Sequence, residues 1–202
     1  THFAVSYFET TVKTRVGVVS EGNVITLGDA VTITDRDTDV KKYGNASFKT
    51  DSTHYLVQCQ ENTWNNEAVY DVVCTVTNGD VVSLGTQYEA TTQRDGQYRC
   101  VEWISSTKFI TAYYGVYCKD MEFRIGTISN DDEIAYGTAQ YILDFTGNDN
   151  FMGLSVLSDD TVIVTYRDDD NSDYPTYRVL TITGTNISVG DANVINQVAT
   201  YY

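Results

Sequence analysis

One phrase is written four times in this chain, and that repetition limits the fold more than any other feature does. RVGVVSEGNVITLGDAVTI runs from Arg15 to Ile33, VVCTVTNGDVVSLGTQYEA from Val72 to Ala90 and RIGTISNDDEIAYGTAQYI from Arg124 to Ile142. A copy one turn residue shorter, RVLTITGTNISVGDANVI, runs from Arg178 to Ile195. The closing glycines Gly28, Gly85, Gly137 and Gly190 lie 57, 52 and 53 residues apart. Each phrase follows another shared one, THFAVSY, THYLVQC, TKFITAY and TVIVTYR, whose last common position is Tyr7, Cys59, Tyr113 and Tyr166. A third phrase precedes that one, clearest as YRCVEWISS and FMGLSVLSDD.

The repeat is about 53 residues long and carries several short apolar runs, the period of a propeller blade. The runs read as strands. Phe3, Val5 and Tyr7 alternate with Ala4 and Ser6, and both sets are apolar or small, as in a strand covered on both faces. Gly22-Asn23, Asn78-Gly79, Asn130-Asp131 and Gly184-Thr185 are tight-hairpin dipeptides. Helix signals are absent, and the single proline, Pro175, precedes a strand. The expectation is an all-β chain: a β-propeller of four-stranded antiparallel blades, one domain over residues 1–202 with units 1–43, 44–97, 98–150 and 151–202, complete or part of a larger ring or array. In the clearest unit the strands are A (98–104), B (108–114), C (123–129) and D (133–142). The first unit opens on strand B, so its inner strand is expected just beyond Tyr202 or from a neighbouring subunit. The start THFAVSYFET, without initiator Met or signal peptide, reads as an internal beginning.

LSVLSDDTVIVTYRDDD followed by YRVLTITGTNISVGDANVI resembles the blade repeat of large secreted tandem-repeat β-propeller proteins of microbes and algae. There a Leu-Ser-Asp turn leads into a Val-Val-x-Tyr strand and on to a glycine-containing outer strand. The resemblance spans essentially the whole chain and implies a surface or matrix component. The WD dipeptide, the kelch double glycine, the Phe-Gly…Gly-Ala-Pro pattern and a complete sialidase Asp box are all missing.

The chemistry-bearing residues fit a module outside the cell. If Tyr7 faces Gly17 and Tyr113 faces Gly126, blade two places Cys59 against Cys74, within disulfide range at a non-hydrogen-bonded rung. Cys100 and Cys118 then form a second bridge. Four cysteines permit three connectivities, and four reduced thiols remain the alternative. Without Cys-x-x-Cys and with two histidines, zinc is disfavoured. Asn186-Ile187-Ser188 and Asn45-Ala46-Ser47 are glycosylation sequons. Asp169, Asn171 and Asp173 have the alternate spacing of a calcium loop but lack its glycine and distal glutamate, so a solvated turn is the plainer reading; Asp35, Asp37 and Asp39 are similar. His2 and His54 share one repeat position, as do Arg15, Arg124 and Arg178, which suits a structural partner, acidic or carbonyl, rather than catalysis.

A net charge of -15 with pI ≈ 4.2 opposes binding to nucleic acid. No apolar run is long enough for membrane insertion. The functional expectation is a non-enzymatic extracellular or cell-surface glycoprotein, a scaffold for self-association as a homo-oligomer or filament, or for attachment to other extracellular proteins or glycans. The alternatives are a propeller lectin, with Trp64 and tyrosines such as Tyr201 and Tyr202 as stacking surfaces, and, with least support, a glycoside hydrolase.

Overall fold

The computed structural model describes residues 2–8, 11–34, 45–48, 53–63, 66–77, 81–91, 96–115, 120–129, 133–142 and 152–197. These form antiparallel sheets, each built from one sequence repeat. Sheet 1 contains β1 (His2–Phe8), β2 (Val12–Val19), β3 (Ile25–Leu27) and β4 (Val31–Thr34). Sheet 2 contains β5 (Asn45–Phe48), β6 (His54–Thr63), β7 (Asn66–Thr77) and β8 (Val81–Thr91). Sheet 3 contains β9 (Gly96–Ser105), β10 (Lys108–Gly115), β11 (Asp120–Ile128), β12 (Ile134–Tyr136) and β13 (Gln140–Ile142). Sheet 4 contains β14 (Met152–Ser158), β15 (Thr161–Asp168), β16 (Tyr174–Thr183), β17 (Asn186–Val189) and β18 (Asn193–Val194). Sheets 2, 3 and 4 follow the expected A-B-C-D meander. Sheet 1 begins on its B strand, β1, which among the described residues pairs with β2.

Strand D departs from the expected single run. In sheets 1, 3 and 4 the repeated glycine divides it into two short strands, both paired with strand C. The N–H groups of Gly28, Gly137 and Gly190 each donate to the carbonyl of one repeat position, Val16, Ile125 or Val179, at 2.9 Å. In sheet 2 strand D stays continuous, but Gln87 faces Val72 and Leu84 faces Cys74, so Gly85 and Thr86 together oppose Val73. The glycine is thus a bulge position in every repeat, where one extra residue re-aims the outer strand.

The pairing of strands B and C corrects one sequence expectation. Phe3 faces Gly17, Tyr55 faces Cys74, Phe109 faces Gly126 and Val162 faces Leu180. Each hairpin is centred two residues earlier than the sequence reading assumed, which moves every rung by four: β6 and β7 close on Thr63 and Asn66. The cause lies in the glycines. A β-carbon on Gly17 or Gly126 would run into the ring of Phe3 or Phe109, so the first aromatic of strand B, not the last, covers the bare backbone. The same backbone bond, Val76 N–H to Thr53, Ile128 N–H to Thr107 and Ile182 N–H to Asp160, fixes this register in three repeats at 2.7 to 2.8 Å.

The chain divides into two compact units, sheets 1 and 2 in the first and sheets 3 and 4 in the second. In each, the back face of one sheet covers the front face of the next. Ala4, Val12, Val16 and Ile33 of sheet 1 pack on Tyr55, Val57, Cys59, Val72, Cys74 and Val82 of sheet 2. Ile110, Ala112, Phe123, Ile125 and Ile142 of sheet 3 pack on Val162, Val164, Tyr166, Leu180 and Ile187 of sheet 4. Full burial of each aliphatic side chain contributes roughly 1.5 to 3 kcal/mol, which makes these two sandwiches the main source of stability.

Candidate functional site

The residues with chemical potential gather on the front faces. Near its end strand B carries Tyr7, Tyr113 or Tyr166, and strand C carries Arg15, Arg124 or Arg178 one same-face position beyond the residue opposite. That diagonal is within reach of long side chains. Arg15 Nη2 donates to the Tyr7 hydroxyl at 2.7 Å, with its guanidinium carbon 5.3 Å from the ring centroid. Arg178 Nε donates to the Tyr166 hydroxyl at 2.8 Å and its Nη1 to the Gly190 carbonyl at 3.1 Å, tying strands B, C and D together. The expected carbonyl partner is present in repeat four; the tyrosine hydroxyl was not foreseen.

Repeat three adds an acid. Arg124 Nε pairs with Glu122 Oε1 at 2.6 Å, and Glu122 sits on the rung between Tyr113 and Tyr141. Asp120 is two residues away on the same face of β11, nearly buried, with Oδ1 unpartnered. Burial raises the Asp120 carboxyl above the usual aspartate range, and the Glu122 charge raises it further. Burial and then Glu122 also raise the Tyr141 phenol. Asp120 and Glu122 escaped notice in the sequence because neither position is acidic in the other repeats: Tyr174 and Thr176 stand there in repeat four.

Repeat two replaces the polar pair altogether. Cys59 and Val72 occupy the tyrosine and arginine positions, both buried in the apolar cluster with Val57 and Cys74. Cys59 faces Tyr70 and Cys74 faces Tyr55. Four rungs separate the two cysteines, about 13 Å at ~3.3 Å per residue and beyond the range of a disulfide. Both carry thiols, so the Cys59–Cys74 bridge is withdrawn. Cys100 is a third thiol, donating to the Met152 carbonyl at 3.3 Å; burial, with the Glu102 charge second, pushes it up to about 11. Cys118, its expected partner, lies outside the described residues.

The remaining sequence candidates are dispersed. Asn186 opens β17 and is exposed, and Asn45 opens β5. The turn at 168–173 is organised around a cation: Arg167 Nε meets Asp169 Oδ1 at 2.8 Å and Asp173 Oδ1 at 3.5 Å, while Asn171 is exposed. Among the described residues no group of three or more His, Cys, Asp or Glu is arranged to hold a metal ion. Asp35, Asp37, Asp39, Trp64, Tyr201 and Tyr202 lie outside the described residues. The Leu-Ser-Asp motif is a turn device, with Ser158 and Thr161 both donating to Asp160 Oδ1, at 2.6 and 2.9 Å. These two bonds hold the Asp160 carboxyl below its usual range. His2 and His54 occupy the same rung of their hairpins, opposite Val18 and Thr75. A groove of about 220 Å³ between β3, β4 and β8 is lined by Leu27, Gly28, Asp29, Val31, Val81 and Val82, smaller than the ~300 Å³ of ordinary ligand pockets.

No protein-family model and no curated protein matches this chain. Among solved structures it is similar to prolyl oligopeptidase B from Galerina marginata, bound there to a 25mer macrocyclization substrate, with a TM-score of 0.43 and 11% identity. That match covers 94% of this chain and 27% of the oligopeptidase, so the chain spans about a quarter of that protein's length.

Proposed function

We propose that this chain is a non-enzymatic structural or adhesive module, its four sheets the blades of a β-propeller ring or array, working outside the cell as a scaffold for self-association. The observation that carries this reading is the fate of the repeated polar residues: Arg15 and Arg178 bond to tyrosine hydroxyls of their own sheets, and Arg124 to Glu122. Functional groups that hold a sheet together recur as the sheet recurs, whereas a catalytic constellation is assembled once from non-equivalent positions. What such a molecule offers to partners is the faces of its sheets. The exposed sequon at Asn186 supports the extracellular setting, since a glycan there leaves the core undisturbed.

The reading is tested on the purified protein by glycan-array binding alongside sedimentation velocity over a hundredfold concentration range. Growth of the sedimenting species with concentration, and no sugar-competed binding, is expected. Array binding abolished by a free sugar would replace the scaffold with a lectin. For the setting, the Asn186 peptide from native material should lose mass on enzymatic deglycosylation; an unmodified peptide would count against glycosylation.

A further inference from the structure

We draw no further inference here: the strongest candidate, the acidic cluster of Asp120 and Glu122 beside Tyr141 on the front face of sheet 3, belongs to the site already described and, among the described residues, carries no sign of a ligand beyond its own two carboxylates.

Discussion

Repeat two and repeat four treat the same diagonal in opposite ways. In repeat four Tyr166 accepts a bond from Arg178, whose other end reaches the Gly190 carbonyl. In repeat two Cys59 and Val72 stand at those positions among apolar neighbours. Tyrosine and arginine are lost together, which is what a mutually dependent pair requires: either member alone would leave a buried polar group without its bond. Repeat three shows a third solution, with Glu122, on the tyrosine rung opposite Tyr113, as the partner of Arg124. A binding ring would need its cation in every repeat; a device that locks strands B, C and D can be exchanged for apolar packing, and in repeat two it has been.

The largest effect should come from breaking that exchange. Val72→Arg puts a charge into a site with Cys59 where the tyrosine should be, and a buried unpaired charge costs about 3 to 5 kcal/mol. Chemical denaturation should show this loss or no folded protein; a near-neutral variant would mean that the cluster around Val72 is open. Next in size is the pair itself. Tyr166→Phe and Arg178→Met should each cost about 1 to 2 kcal/mol, and the double variant less than their sum, with a coupling near 1 kcal/mol. Strict additivity would dissolve the pair.

Repeat three sharpens the comparison through pH. Burial and Glu122 raise the folded-state pKa of Asp120, so the folded chain holds its proton more tightly than the unfolded one. This stability is present below the ordinary aspartate pKa and is lost as pH rises through the raised value. Asp120→Asn should remove that loss and leave the variant more stable than wild type at neutral pH; a less stable variant in urea melts at pH 7 would show that the Asp120 charge is bound by a partner. The smallest effect is expected from reductant. With Cys59, Cys74 and Cys100 as thiols, dithiothreitol should leave Tm unchanged, where losing a structural disulfide would cost ~2 to 4 kcal/mol.

Much of the fold was legible because repetition removes ambiguity: four copies of one alternation specify strands, and the copies specify their order. Register was not, because alternation is satisfied equally when a hairpin slips by four residues. What decides it is bulk against bare backbone, Phe109 over Gly126 rather than Tyr113, and single-chain periodicity carries no such information. The disulfide expectation failed with the register. The arginine partners were half legible, since repetition pointed to a structural role but not to a hydroxyl on a diagonal.

The rung assignment underlies every pairing described, and cross-strand cysteines test it most directly. The bond from Ile182 N–H to the Asp160 carbonyl makes Thr161 and Thr181 a non-hydrogen-bonded pair, the close rung with Cα atoms ~4.5 Å apart. On mild oxidation, Thr161→Cys with Thr181→Cys should form a disulfide that peptide mapping recovers, whereas Thr165→Cys with Thr181→Cys should stay reduced, since Thr165 faces Tyr177. A bridge in the second variant and free thiols in the first would restore the register shifted by four and contradict the pairing of tyrosine with arginine.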